Sequence, residues 1–384
     1  MSYESPYAGL RVVDLSQGVA GPYCAMLLAQ YGADVIKVEP PEGDWSRTLG
    51  HPDGEHTAFS IAANLGKRSI VLDLKKPTDC EILWHLIDKA DVFLEGFRPG
   101  VIERLGFDYE RVSARNKRVL YVSISGFGQV GPLRTKPAMD PVLQAYTGFM
   151  MANQDKDGLP QRSGPVIVDM ATALYAYQAV SSALYARRDL DHGRKIEVSL
   201  MEAAANLQII RMLQTHILGH PPVAASAPSG VFRCADGYIQ MVSVRQRDFE
   251  GICKALELDQ IAADPRFATA KDRMGHTSEL NQRVAKVLET EPVAHWCERL
   301  TDAGVQNEAV LDYFEFLRQD QVKTMNLVSW LPQAGFDEPL PVFNPPGLAP
   351  LRAGTTHAHS PRIGEHSAEI LSELGLEVIK NGID

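Results

Sequence analysis

The first third of the chain alternates short apolar runs with helical segments, and this alternation limits the fold more than any other feature. Residues 10–16, 34–39, 69–74, 92–97 and 119–125 each have the length and apolar content of a buried strand. Alternation of this kind predicts an α/β fold with a Rossmann-like parallel sheet covered by helices. Such a sheet binds ligands at the carboxyl ends of its strands.

Two proline-rich stretches, residues 219–230 and 341–350, divide the remainder of the chain. Both predict extended linkers, because proline restricts its own backbone and that of the residue before it. Between them lies a module with a strand signal and helical segments of its own. We therefore predict a discontinuous large domain, residues 1–218 plus 341–384, interrupted by a smaller inserted α+β domain, residues 231–340.

The composition disfavours several other classes of protein. With 384 residues, of which 45% are hydrophobic, the chain can fill a sizeable core. Its formal net charge of −10 disfavours a nucleic-acid partner, because an acidic surface repels phosphate backbones. Neither an export signal nor an apolar stretch long enough to cross a bilayer is visible. We therefore expect a cytoplasmic protein that does not bind a membrane.

Neither a metal site nor a nicotinamide site is predicted. The five cysteines are scattered without a C-x-x-C pair, and among the histidines only His357 and His359 are close together. Residues 126–131 match the pattern G-x-G-x-x-G, but Pro132 interrupts the helix that a dinucleotide requires. The pattern instead predicts a glycine-rich loop beside the sheet.

Asp169 is a position for which the residues alone leave two roles open. Residues 165–168 resemble the end of a strand and residues 170–185 a helix, so Asp169 is expected at the junction. It is there either the N-cap of the helix or a carboxylate presented at the end of a strand. In the second role, the helix dipole keeps it ionised, which is worth ~0.3–1 kcal/mol.

Several segments, taken in order, resemble the class III CoA-transferases. This family includes formyl-CoA, carnitine and succinyl-CoA-dependent transferases, and the 2-methylacyl-CoA racemases are related to it. The likeness lies in segments such as LRVVDLSQGVAGPYC, GKRSIVLDLK, ADVFLEGFRPG, MDPVLQAYTGFM, HGRKIEVSLMEA and IGEHSAEILSELGL. Each segment is a weak signal alone, but together they cover nearly the whole chain. The chain is therefore identified as a member of this family.

The resemblance implies that Asp169 is the nucleophile of a CoA transfer. Its carboxylate would form an acyl-aspartyl anhydride and then an aspartyl-CoA thioester. Developing oxyanions would be bound by backbone amides, for which Gly18, Gly21 and the loop of residues 126–131 are candidates. An aspartate with an ordinary pKa near 3.9 is ionised at neutral pH, so we expect no general base.

The resemblance also implies which residues bind CoA. Val19 and Ala20 are expected near the thioester, and the nucleotide is expected on Leu72, Asp73, Leu74, Lys75, Gly96, Phe97, Arg98 and Arg104. Asp140 occupies the position where relatives carry an acidic group beside the nucleophile. Some relatives have an arginine where this chain has Pro40 and Pro41, so Lys136 or Arg134 is expected to bind that phosphate. Arg98, Arg104 and Lys75 could instead be ordinary surface residues.

The family further implies an interlocked homodimer, with acyl-CoA as a substrate and no tightly bound cofactor. Arg47 and Arg245 could each bind the second carboxylate of a dicarboxylic acid, or could be surface charges. A racemase is the first alternative, but its histidine–aspartate pair corresponds here to Met139–Asp140. A CoA-binding relative without catalytic activity is the second alternative.

Overall fold

The computed structural model describes residues 5–155, 157–222 and 226–376. The chain divides into two compact units, one formed by Met1–Ile209 with Thr324–Asp384 and the other by Ile210–Lys323. The first unit is therefore discontinuous. The chain returns to it between residues 323 and 324, whereas the sequence places this boundary near residue 340.

The described part of the first unit contains a six-stranded sheet whose paired strands are all parallel. Its strands are β1 (Arg11–Asp14), β2 (Asp34–Glu39), β3 (Arg68–Val71), β4 (Val92–Glu95), β5 (Leu120–Ser125) and β6 (Arg194–Ser199). The strand order is β3-β2-β1-β4-β5-β6. This is the Rossmann-like order, in which the sheet changes winding direction between β1 and β4. The predicted α/β fold is confirmed.

Helices and their connecting loops cover both faces of this sheet. In chain order, the helices of the first unit that precede the second unit are α1 (Ala20–Gln30), α2 (Ala58–Asn64), α3 (Pro77–Asp88), α4 (Val101–Leu105), α5 (Tyr109–Arg115), α6 (Asp140–Tyr146), α7 (Phe149–Ala152), α8 (Ile167–Ala186) and α9 (Leu200–Leu207). Val12 packs in one core with α1 and α8, and Val13 in another with α3 and α5. The two valines separate because successive side chains of a strand point to opposite faces.

The second unit has a three-stranded antiparallel sheet in the order β7-β8-β9 and a helical layer. Its elements begin with α10 (Ile209–Leu218), which enters from the first unit, and continue with β7 (Gly230–Arg233), β8 (Tyr238–Val242), α11 (Gln246–Ala255), α12 (Asp259–Ala262), α13 (Ala270–Gly275), α14 (Thr277–Leu288), α15 (Val293–Asp302), β9 (Gln306–Ala309), α16 (Tyr313–Arg318) and α17 (Asp320–Thr324). Strands and helices share one apolar core that includes Ile239, Val284 and Trp296. This is the α+β organisation that the sequence predicts for the inserted module.

The stretch predicted as the second linker contains a strand instead. β10 (Val328–Leu331) pairs antiparallel with β11 (Leu340–Phe343), and both belong to the first unit. The two-stranded sheet accommodates Pro341 because proline is tolerated on a strand that has a free edge. Helix α18 (Ser367–Glu373) follows. In the first predicted linker, residues 223–225 lie outside the described residues.

No helix in the described ranges is long and apolar enough to cross a membrane.

Candidate functional site

A cavity of about 480 Å³ opens at the carboxyl ends of β1, β4 and β5, beside the point where the sheet changes winding direction. The loop after each of these strands contributes to its wall. Its lining residues are Leu15, Ser16, Gln17, Val19, Ala20, Gly21, Trp45, Gly96, Phe97, Arg98, Pro99, Val101, Ile124, Ser125, Gly126, Arg134, Lys136, Ala138, Met139, Asp169 and Leu200. Asp169 and the expected thioester-proximal residues therefore share one cavity.

The loop between β1 and α1 presents backbone amides beside this cavity. The amides of Val19, Ala20 and Gly21 have no hydrogen-bond partner among the residues that the structure describes. Gly18 makes the turn that leads into these residues, and its φ of +83° favours glycine. A Cβ at this position would also lie only 2.2 Å from the Trp45 ring. Free amides at the first turn of a helix form a site for negatively charged oxygen atoms.

Three exposed cations line the same cavity: Arg98, Arg134 and Lys136. Within the described ranges, none of them forms a salt bridge, and Lys136 only lies 5.6 Å from the ring of Phe127. Their positive charges are therefore available to a ligand. Arg134 and Lys136, the two candidates for the phosphate that some relatives bind with an arginine, therefore line the same cavity.

A second cavity of about 200 Å³ adjoins the first and shares Leu15, Gln17 and Phe97 with it. Its other lining residues include the expected nucleotide contacts Leu72, Asp73, Leu74 and Lys75, together with Pro40 and Pro41. The expected CoA-binding segments thus lie along two neighbouring cavities. The paired prolines form part of the wall where some relatives carry an arginine.

Asp169 lies inside α8, and the predicted strand before it is absent from the structure. Residues 161–166 are loop, and α8 begins at Ile167, so Asp169 is the third residue of the helix. The expected N-cap role belongs to Asp140, whose Oδ2 accepts hydrogen bonds from the amides of Val168 at 2.7 Å and Asp169 at 3.1 Å. The carboxylate of Asp169 has no hydrogen-bond partner among the described residues.

The ionisation of Asp169 differs from the expectation. Burial raises the pKa of Asp169 to about 7, and the negative charge of Asp140 acts in the same direction. The dipole of α8 does not offset this, because Asp140 already binds the amides at the helix terminus. The pKa of Asp169 therefore lies well above the ordinary value near 3.9 on which the expected full ionisation rests.

Asp140 itself is not a lining residue of either cavity. It is 2% exposed, and its Oδ1 accepts a hydrogen bond from the Gln144 side chain at 2.6 Å. Oε1 of Gln144 in turn accepts a hydrogen bond from the amide of Ser163 at 2.9 Å. Asp140 therefore connects α6 to the segment before α8 and positions Asp169 without facing a ligand.

Two of the arginines that the sequence offers for binding line neither cavity, and a third belongs to the second unit. Arg104 is exposed and lines neither cavity. Arg47 is 3% exposed, and its Nε and Nη2 atoms donate to both carboxylate oxygens of Glu39 at 2.7 Å. Arg47 is thus neither a surface charge nor available to a substrate. Arg245, in the second unit, pairs with Asp248 at 3.0 Å.

The sequence did not identify Gln17 and Trp45 as lining residues. Gln17 precedes the glycine turn after β1, and this position could have indicated its role. Trp45 carries no such signal, because its placement depends on packing against Gly18. Of the candidate glycines, Gly21 and Gly126 line the cavity. In the described ranges, no group of three or more His, Cys, Asp or Glu residues is arranged to hold a metal.

Comparison with known proteins gives a consistent family. The model of CoA-transferase family III matches residues 7–367. The chain is 35% identical over 333 residues to the acetyl-CoA:oxalate CoA-transferase of Acetobacter aceti, covering 85% of this chain and 86% of that protein. It is 33% identical over 388 residues to the succinate–glutarate CoA-transferase of Agrobacterium fabrum, covering 96% of each. A solved CAIB/BAIF family protein from Brucella suis has a TM-score of 0.86 at 29% identity, covering 97% of this chain and 100% of that one.

Proposed function

The chain belongs to CoA-transferase family III and is an enzyme of that class, and on this premise we propose that Asp169 carries the transferred groups covalently. The enzyme would move CoA from a small acyl-CoA to a carboxylic acid. The observation that carries this proposal is the unpartnered carboxylate of Asp169 in the cavity at the sheet's carboxyl edge.

The chemistry follows from the properties of a carboxylate nucleophile. Ionised Asp169 attacks the thioester carbonyl, the C–S bond breaks, and an acyl-aspartyl anhydride forms with release of the CoA thiolate. The thiolate then attacks the aspartyl carbonyl, which gives an aspartyl-CoA thioester and frees the donor acid. The acceptor carboxylate repeats these two steps in reverse. Because an anhydride is about as activated as a thioester, no step loses the transfer potential.

The raised pKa of Asp169 supports this role. A carboxylate that is hard to ionise is a stronger base than an ordinary aspartate, so it is also a better nucleophile once ionised. Asp140 satisfies the amides at the start of α8, which leaves the oxygens of Asp169 free for the substrate. Asp140 thus has the structural role at the start of α8, and Asp169 has the proposed chemical role.

Backbone amides are the proposed donors to the developing oxyanion. Val19, Ala20 and Gly21 line the cavity, and their amides lack protein partners among the described residues. Such preorganised donors favour the transition state, because they need no rearrangement when charge develops. Gly126 lies in the same cavity wall and is a further candidate.

For CoA, we propose that the nucleotide occupies the smaller cavity beside Leu72 and Lys75, and that the thioester reaches Asp169 in the larger one. Arg98, Arg134 and Lys136 line the larger cavity and would neutralise the phosphates of CoA. Arginine and lysine suit this task because they donate charge-assisted hydrogen bonds to phosphate oxygens. No tightly bound cofactor is required by this chemistry.

We propose a dicarboxylic acid as the acceptor. The names of the two relatives contain oxalate, succinate and glutarate, which are all dicarboxylic acids. Since Arg47 is held by Glu39, the second carboxylate would instead use one of the cavity cations or the free loop amides. A substrate panel in which monocarboxylic acids outperform every dicarboxylic acid would contradict this assignment.

A cytoplasmic homodimer completes the proposal. Helix α10 exposes several apolar side chains that water solvates poorly: Ile209, Ile210, Met212, Leu213, Ile217 and Leu218. A contiguous exposed apolar surface of this kind is typical of a protein interface. Sedimentation of the purified protein as a stable monomer would contradict the dimer. The racemase alternative is not adopted, because Met139 in the cavity has no group that transfers protons.

Formation of a new acyl-CoA tests the proposed activity. The protein is incubated with succinyl-CoA or another acyl-CoA and a dicarboxylic acid, and the products are separated by chromatography. We expect the acceptor's CoA thioester to appear in equal amount to the released donor acid. Free CoA without an acceptor thioester would indicate hydrolysis rather than transfer.

A further inference from the structure

A cluster of buried charges lies next to the β1–α1 loop, and the proposed chemistry does not use it directly. The cluster consists of Asp14, Lys37, Asp44 and Lys67, which are 0%, 0%, 1% and 3% exposed. Lys37 pairs with Asp44 at 2.7 Å, and Lys67 pairs with Asp14 at 2.8 Å. Buried ion pairs often stabilise a protein no more than apolar residues of similar size. Stability alone therefore gives little reason for these four charges.

Two of the charges bind Ser16, which lines the cavity. Oδ1 of Asp14 accepts hydrogen bonds from the amide of Ser16 at 3.0 Å and from its hydroxyl group. Nζ of Lys37 donates to the carbonyl oxygen of Ser16. The amide, the carbonyl and the side chain of this one residue are thus all held by buried charged groups.

The other two charges bind the loop on either side of its free amides. Oδ1 of Asp44 accepts the amide of Gly18 at 2.9 Å, just before Val19. Nζ of Lys67 donates to the carbonyl oxygen of Pro22 at 2.8 Å, in the first turn of α1. The free amides of residues 19–21 lie between these two attachments.

Ser16 also packs tightly against two cavity walls. A Cβ at Gly21 would lie 2.4 Å from Cβ of Ser16, and a Cβ at Gly96 would lie 3.3 Å from it. Both glycines line the cavity. A shift of Ser16 would therefore displace the start of α1 and the loop after β4 together.

We propose that Lys37 and Lys67 are positioning residues for the transfer reaction. Through Ser16 and Pro22 they hold the β1–α1 loop so that its free amides stay in place beside the reacting carbonyl. Supporting groups of this kind are needed because catalytic donors lose their effect when they are only slightly displaced. The inference rests on the proposed function for its chemistry, but the tethering of the loop can be measured without it.

The first test is hydrogen–deuterium exchange of a charge-balanced double variant, Lys37→Met with Asp44→Asn. This variant removes the donor to Ser16 and leaves no unpaired buried charge. We expect the hydrogen-bonded amides of this segment, those of Leu15, Ser16 and Gly18, to exchange at least about tenfold faster, because local opening becomes easier. The matched control is Arg187→Met with Asp91→Asn, an ion pair of 2.6 Å outside both cavities. The control should leave exchange of residues 15–21 unchanged.

The second test is the steady-state kinetics of the same variants. Loss of transition-state donors predicts that kcat falls at least about tenfold while KM for the acyl-CoA changes less than about threefold. If the double variant does not fold, Ser16→Ala removes only the hydroxyl contact with Asp14 and should lower kcat about threefold.

Unchanged exchange in residues 15–21, or kcat within twofold of the wild type in a folded variant, would overturn the positioning role. The exchange measurement uses no substrate. It therefore decides this inference even if the wild-type protein transfers no CoA, so the failure of the proposed function and the failure of this inference are distinguishable.

Discussion

Asp140 binds the backbone amide of Asp169, with its Oδ2 3.1 Å from that nitrogen. The same oxygen accepts the amide of Val168 at 2.7 Å. The carboxylate of Asp140 therefore caps α8, while that of Asp169, the third residue of the helix, remains free in the cavity. A helix N-terminus usually stabilises a nearby carboxylate, but here Asp140 already occupies the free amides. Its negative charge also raises the pKa of Asp169.

Asp169→Asn should abolish transfer without loss of the fold. The amide has nearly the same shape but is not a nucleophile, so we expect turnover to fall by at least about 10³-fold. The measurement is acyl-CoA formation, together with the melting temperature. Asp191→Asn, which replaces an exposed aspartate outside the cavity, is the matched control and should remain active. Activity of Asp169→Asn close to that of the wild type would refute covalent transfer at this residue.

The pH profile should report the ionisation of Asp169. Only the carboxylate form attacks the thioester, and its pKa is raised to about 7, so kcat/KM should rise with pH through about 7 and level off above it. Asp140→Asn removes the nearby negative charge, so the acidic limb should move to lower pH. It should not reach the ordinary range of aspartate, because burial is the larger cause of the shift.

An acidic limb that stays in place in Asp140→Asn would show that Asp140 does not influence the titration. The amide oxygen at residue 140 can still accept the amides of Val168 and Asp169, so this variant tests charge separately from capping. Asp140→Ala, which removes both, should in addition lower the melting temperature, since loss of a helix cap costs about 1 kcal/mol.

Lys136→Gln tests the role of the cavity cations. Removing one phosphate contact should raise KM for acyl-CoA about tenfold and change kcat little, because such a contact stabilises the ground state and transition state alike. Lys89→Gln is the control, since Lys89 is exposed and lines neither cavity. Equal KM values for the two variants would remove Lys136 from the CoA site.

Arg47→Met tests whether Arg47 is structural. The substitution leaves the carboxylate of Glu39 buried without its partner, so it should destabilise the protein by about 3–5 kcal/mol. Adding Glu39→Gln removes the unpaired charge and should recover most of that stability. Chemical denaturation of the two variants measures the difference. An Arg47→Met variant with wild-type stability and a raised KM for the acceptor would restore the role in substrate binding.

The sequence predicts the strands well because their signal is local. β2 (Asp34–Glu39) agrees with its expected bounds, and β1, β4 and β5 differ from theirs by at most two residues at either end. Each is a short run with buried Val, Ile, Leu or Phe side chains between turn residues, so apolar content and length suffice to identify it. The family resemblance then orders these elements around Asp169.

The errors concern groups whose partners are distant in the chain. Residues 165–168 look like a strand because Val166, Ile167 and Val168 are β-branched, yet Ile167 and Val168 begin α8. The cap that starts this helix is Asp140, 28 residues earlier than Val168, and no local pattern shows it. Arg47 likewise looks exposed in a polar segment, but Glu39 draws it into the interior.

The most direct test of the central claim is peptide mass spectrometry of the protein after incubation with a panel of acyl-CoAs, followed by trapping with hydroxylamine or borohydride. The account predicts a donor-dependent modification or reduction at Asp169, absent from Asp169→Asn and from samples without donor. Efficient CoA transfer with no modification of the peptide that contains Asp169 would contradict it.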